Sequence, residues 1–163
     1  MSDHGLLEWG VREGWRAYVA ALPDGSFVLD GGVEYADGVF RFPRADPVGD
    51  TPGTARFRGT VTARGHFGMT LGYLIDPWVE VDADGARITV VRWPGHDERI
   101  ALVTLTGDPA AGPAEAALTL EGTEIFGGVY RADSPMDPVV VTGSTPHDAD
   151  TQETDAGSDR GVR

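Results

Sequence analysis

Cysteine is absent from all 163 residues, which excludes disulfides, thiolate zinc sites, iron–sulfur clusters and a cysteine nucleophile. Any metal would have to be held by oxygen or nitrogen. Positive charge is scarce: 13 Lys plus Arg face 26 Asp plus Glu, a formal net charge of −13. Such a surface repels a phosphate backbone, so nucleic acid is not an expected partner. No run approaches the roughly 18 consecutive apolar residues of a membrane span, and Met1-Ser2-Asp3-His4 has neither the basic nor the apolar region of a secretory leader. As written, the chain is expected to be cytoplasmic. The nucleophile elbow, phosphate loop, HExxH motif and EF-hand loop are also missing, and the glycine pair Gly31-Gly32 precedes a strand instead of opening a helix.

What the sequence has in abundance is turn residues, with 23 Gly and 11 Pro spread among short β-branched and aromatic runs. This describes a mainly β chain. Its length suits one domain with a tail. From Leu6 to Ala20 the apolar residues Leu7, Val11, Trp15 and Val19 recur every four positions, which predicts one amphipathic helix with Asp3 as its N-cap and Leu22-Pro23-Asp24-Gly25 as its stop. Gly10 and Gly14 would lie on the stripe of that helix that leads to Tyr18. Each costs about 1 kcal/mol against Ala in a helix interior, so their presence suggests that something approaches the backbone closely.

Strands are predicted at Ser26–Leu29, Val33–Tyr35 and Val39–Phe42, the last two joined by the turn Ala36-Asp37-Gly38. Alternation from Arg56 to Arg64 puts Phe57, Gly59, Val61 and Ala63 on one face and predicts a single strand with one wet side. Gly65-His66-Phe67-Gly68 interrupts it before Met69–Ile75 resumes. Trp78–Val81, Ile88–Trp93 and Arg99–Leu105 read as a meander, and Gly107–Ala116 as a loop. Thr119 can cap a short second helix ending near Phe126 before Gly127-Gly128, with Val129-Tyr130 and Val139–Val141 as closing strands. The expected fold is an antiparallel β-sandwich or flattened barrel with an N-terminal helix and a second short helix. Residues 143–163 hold five carboxylates against Arg160 and Arg163, which predicts a disordered acidic tail. Ten of the thirteen surplus negative charges therefore belong to the domain, 1–142.

Histidines at 4, 66, 96 and 147 are too dispersed for a local metal cluster. His96 reads as an exposed turn residue. His66 is flanked by glycines that let the chain bend sharply and present the imidazole at a sheet rim, yet alone it also fits a solvated loop. Tyr18, taken alone, fits a packing residue with a wet hydroxyl.

The order of these pieces carries more. Trp9, Gly10, Val11, Arg12, Arg16 and Tyr18, followed by Asp37-Gly38 with Phe40-Arg41-Phe42-Pro43, Gly65-His66-x-Gly68-x-x-Leu71, Asp76-Pro77, Leu118-Thr119-x-Glu121-Gly122, Phe126-Gly127-Gly128-x-Tyr130 and Asp137-Pro138, closely resemble the HtaA haem-binding domain family in sequence and order. Trp15 replaces a family Phe, and Gly14 stands where the family generally has Ser.

The resemblance implies a haem-binding protein for transfer, buffering or sensing. Tyr18 would be the axial ligand of a ferric haem b iron, and His66 would hydrogen-bond the tyrosine oxygen from a facing loop. Gly10 and Gly14 would let the macrocycle approach the helix. An unperturbed phenol has a pKa of about 10, so the metal must hold the phenolate, and an imidazole N–H would stabilise that oxygen. Arg12, Arg56, Arg58 and Arg64 are candidates for the propionates. Haem itself, with a haem-donor or haem-acceptor protein, is the expected partner. Family members generally act outside the cell or at its envelope, whereas this chain shows no leader. Two other readings use the same residues: a β-sandwich interaction module that has lost haem and docks a basic partner, or a haem-dependent peroxidase or haem-degrading enzyme.

Overall fold

The computed structural model describes residues 5–47 and 51–143. Asp3, His4, His147 and, apart from Gly143, the expected acidic tail lie outside them. Among the described residues there are twelve strands, most of them alternating in burial: β1 (Leu6–Trp9), β2 (Ser26–Asp30), β3 (Glu34–Ala36), β4 (Val39–Pro43), β5 (Thr54–Arg56), β6 (Thr60–Gly65), β7 (Met69–Ile75), β8 (Trp78–Asp82), β9 (Gly85–Val91), β10 (Arg99–Thr106), β11 (Ala114–Leu118) and β12 (Pro135–Thr142). One α-helix, α1 (Glu13–Ala21), follows β1, and a 3-10 helix spans Glu121–Phe126. All strand pairings among the described residues are antiparallel. Nine strands form one sheet in the order β3-β4-β1-β12-β11-β10-β9-β8-β5, and three form a second, β2-β6-β7. Among the described residues neither sheet closes on itself. The fold is the expected mainly β sandwich, not a barrel.

The opening segment differs from the expected helix. Leu6–Trp9 is a strand paired on both sides, Trp9 with Phe40 of β4 and with Val139 of β12, and α1 begins only at Glu13. Leu7, Val11, Trp15 and Val19 are all buried, so the four-residue spacing found the inward side chains but not the path of the backbone. A central strand can bury Leu7 and Trp9 by alternation as well as a helix could. The single strand expected from Arg56 to Arg64 is also two strands in different sheets. Phe57-Arg58-Gly59 passes the chain across, and Gly59 takes φ +118°, where a Cβ would lie 2.3 Å from Val33 Cγ2. The alternation survives the crossing because Phe57, Val61 and Ala63 face the same core.

Ala114–Leu118, expected as mostly loop, is β11. Val129-Tyr130, expected as a strand, is irregular chain after the turn Gly127-Gly128, and the closing strand runs from Pro135. Thr119 stands one residue before Leu120, the N-cap of the second helix, and its Oγ1 accepts from the Gly122 amide at 2.8 Å, while Gly127 ends the helix in the left-handed conformation at φ 68°. The two sheets meet over an aromatic cluster in which the Trp15 ring lies 5.2 Å from Phe27 and 5.4 Å from Phe126.

Candidate functional site

Trp15 and Val19 turn inward from α1, and this leaves Gly14 and Tyr18, one turn apart, on the outer side. The Trp15 indole donates to the Leu71 carbonyl of β7 at 2.9 Å, fixing the helix against the smaller sheet. The neighbouring Gly72 permits this approach, since a Cβ there would sit 3.0 Å from Phe126 and 3.1 Å from Trp15. Tyr18 is therefore held over the β6–β7 hairpin, whose tip carries His66.

At that tip His66, Phe67 and Gly68 have φ of 49°, 65° and 88°, a run of left-handed backbone that lifts the imidazole toward the helix. Tyr18 Oη and His66 Nε2 are 2.6 Å apart. The direction of the hydrogen bond depends on the tautomer. The phenol stays about half exposed, at 48%, and Phe67 beyond it is fully exposed.

Beside the pair lies a cleft of about 680 Å³, within the size range of small-molecule sites. Gly14 and Tyr18 of α1 form one wall, Leu71 and Tyr73 of β7 the floor, and Ile125 and Tyr130 the far side. Leu71 and Tyr73 belong to the apolar stripe of β7, yet that strand buries Leu74 from the opposite face. Its stripe is thus left to line the cleft. The Tyr73 hydroxyl donates to the Arg92 carbonyl, and burial, reinforced by the Glu124 charge, pushes its pKa up. Burial likewise raises Tyr130, opposed by the Arg12 guanidinium, which lies 4.5 Å from the centre of the Tyr130 ring. A partly buried phenol flanked by apolar side chains is kept neutral by desolvation.

The structure brings together Tyr18, His66 and Gly14 but not Gly10. Gly10 follows β1 and does not line the cleft. A Cβ there would meet Asp137 Oδ2 at 2.5 Å, Arg16 Nη1 at 2.6 Å and the Gly38 carbonyl at 2.9 Å, so the missing side chain makes room for an ion pair. At Gly14 a Cβ would meet only Arg12 Nε, at 3.8 Å. Of the four candidate arginines, Arg12 alone lines the cleft, with Nη1 donating to the Pro135 carbonyl at 2.6 Å. Arg56 donates to the Asp46 carbonyl and Arg58 to that of Arg44, at the crossing between the sheets. Arg64 donates to Gly68 O at 3.2 Å and so braces the hairpin tip. His96 lies beside Trp93 on another turn. Tyr73 had no distinguishing signal in the sequence. Tyr130 was visible only as the end of Phe126-Gly127-Gly128-x-Tyr130.

Among the described residues no three His, Asp or Glu side chains converge as a metal site. What the described residues offer a ligand is a phenol and an imidazole in contact beside a mostly apolar cleft. The HtaA family profile (Htaa) matches residues 4–142. The chain belongs to the HtaA family. Solved structures agree on the fold. The N-terminal domain of HtaA from Corynebacterium glutamicum is similar at 23% identity with a TM-score of 0.67, the match covering 86% of this chain and 96% of that one. The C-terminal domain of the same protein gives 18%, 0.66, 85% and 94%. The heme-binding protein HtaB from the same organism gives 18%, 0.61, 83% and 90%. No curated protein matches the sequence. The matched range includes every residue that lines the cleft, from Arg12 to Tyr130. No helix among the described residues is long and apolar enough to cross a membrane.

Proposed function

We propose that this HtaA-family chain binds ferric haem b in the cleft, with the Tyr18 phenolate as axial ligand and His66 as hydrogen-bond donor to it, and serves haem transfer, buffering or sensing. The observation that carries the reading is the 2.6 Å contact between Tyr18 Oη and His66 Nε2 at the cleft mouth. The residues present fit the group. The phenol oxygen is reachable, Gly14 one turn before it adds no side chain to that wall, and the half-buried Leu71 and exposed Val129 offer apolar surface for a macrocycle. Bound haem would supply a ferric iron able to accept an anionic oxygen. His66 would hold its proton on Nε2 and donate it toward the phenolate, stabilising the charged form. A hard anionic oxygen favours ferric over ferrous iron. Haem-binding HtaB shares the fold, which supports the same class of ligand here.

The test is a titration of the purified chain with ferric haem, followed by absorbance. A saturable one-to-one Soret band with a high-spin tyrosinate charge-transfer band is expected, and Tyr18→Phe removes the charge-transfer band. An unchanged spectrum for Tyr18→Phe excludes Tyr18 as the ligand. Non-saturable uptake by the wild type excludes the haem reading and favours an interaction module.

A further inference from the structure

We propose that Asp24 is a positioning residue for the Tyr18–His66 pair. Its two carboxylate oxygens each accept one backbone amide of the hairpin tip, Oδ1 from His66 at 3.1 Å and Oδ2 from Phe67 at 2.6 Å. These are the two non-glycine residues of the tip with left-handed φ, a conformation that L side chains disfavour and that therefore needs an external hold. Consecutive left-handed residues aim their amides to one side, which suits an anion.

Ladder pairing does not supply this hold, because the last pair before the tip is Gly65 with Met69. Asp24 stands in the turn that ends α1, where the Leu22 amide bonds Val19 O and the Gly25 amide bonds Leu22 O. That turn and the hairpin are fitted together: a Cβ on Gly65 would lie 2.5 Å from Leu22 Cδ1, and one on Gly25 would overlap the Val19 carbonyl. The turn that ends the helix carrying Tyr18 thus holds the residue that shapes the loop carrying His66. One carboxylate sets where the imidazole meets the phenol. Arg64 reaches the same tip through the Gly68 carbonyl but leaves the two strained amides to Asp24.

The inference rests on the haem reading for its functional consequence, but its structural part is read in ligand-free protein. Asp24→Asn is the informative substitution, since a carboxamide offers one acceptor atom where two amides must be met. Asp24→Ala removes both acceptors. In the free protein, the nuclear Overhauser contact between the His66 and Tyr18 rings is expected to disappear in both variants while the remaining amide spectrum is kept. With ferric haem bound, release to apomyoglobin is expected to accelerate about 10-fold in Asp24→Asn, within the range for residues that orient a metal ligand. His66→Ala releases at least as fast, and adding Asp24→Ala to His66→Ala brings no further acceleration, because Asp24 acts only through His66. A ring contact retained in Asp24→Asn, or a double variant that releases haem several-fold faster than His66→Ala, overturns the proposal. Failure of the wild type to bind haem would overturn the haem reading instead, with the ring contact still deciding the structural claim.

Discussion

Gly10 and Gly14 look equivalent in sequence, four residues apart before Tyr18, but the structure separates them, and alanine at each should have opposite effects. At Gly10 the new methyl would occupy the space of Asp137 Oδ2 and Arg16 Nη1, which meet at 2.5 Å with side chains only 30% and 18% exposed. Arg16 Nη1 also donates to the Gly10 carbonyl. A partly buried charge-assisted hydrogen bond contributes about 1.5–3 kcal/mol, reduced here by the solvent that reaches both groups. The Gly38 carbonyl is backbone and can yield only by a shift of the β3–β4 turn, an overpacking cost of about 1–3 kcal/mol.

Together these give about 3 kcal/mol, or a melting temperature lower by about 10 °C for a domain of this size. Gly14 is the second residue of α1 with open space around its Cα, so alanine should gain up to about 1 kcal/mol of helix propensity and raise the melting temperature slightly. Neither change should alter haem release. The Gly14→Ala methyl would face the cleft with only Arg12 Nε near it, at 3.8 Å, and is smaller than the Ser that the family generally has there. Gly10→Ala should release haem at the wild-type rate below its own melting transition. Scanning calorimetry of the ligand-free variants and release to a scavenger decide it. A Gly10→Ala variant as stable as wild type, or one that loses haem while melting normally, would falsify the packing assignment.

Tyr73→Phe should cost about 1 kcal/mol at neutral pH through the hydrogen bond to Arg92 O, and it should also flatten the alkaline limb of stability. Burial raises the folded-state pKa of Tyr73, so the native chain keeps a proton that the unfolded chain sheds above about pH 10. That contribution is complete below this pH and is lost as pH rises through and beyond it. A variant whose melting temperature falls as steeply as wild type between pH 9 and 11, on the order of the phenol range, would contradict the assignment. We also propose that residues 143–163 form a tail independent of the domain, since their acidic, aliphatic-poor composition cannot offset the entropy of ordering. A chain ending at Thr142 should melt and titrate with haem as the full chain does, and a clear drop in either would show that the tail docks.

The parts of the fold legible in the sequence were those decided within a few residues. Asp37-Gly38 takes φ of 55° and 78°, the backbone that a tight hairpin asks for and that Asp-Gly tolerates. Thr119 and Gly127 mark the ends of the 3-10 helix by the same local chemistry. Elements set by distant partners were not legible. Ala114–Leu118 has little intrinsic preference for strand, and it becomes β11 because β10 and β12 lie on either side of it. For the site, Tyr18 and His66 each read ambiguously, and only the ordered family landmarks joined them across 48 residues. Asp24 looked like a helix stop, because neither turn signals nor periodicity say what a carboxylate reaches through space.

The least legible feature is also the one that makes Tyr18 available. Between β1 and α1 the chain turns from strand to helix in three residues, with the Arg12 amide bonded to Gly10 O at 2.8 Å around Val11, whose φ is 68°. A β-branched residue at the centre of such a γ-turn opposes its own backbone preference, at a cost of about 1–3 kcal/mol. No reading of local propensity would place it there. What holds it comes from β12: the Asp137 amide donates to Val11 O at 2.9 Å, its carbonyl accepts from the Trp9 indole at 2.7 Å, and its carboxylate meets Arg16. Val11 is wholly buried, so the strain is also offset by apolar area removed from water. Without this abrupt turn, a helix running on from Leu6 would deprive the larger sheet of its strand between β4 and β12. With it, Leu7 and Trp9 enter the sheet, Trp15 and Val19 enter the core from the helix, and the next outward position on α1 is the phenol that meets His66.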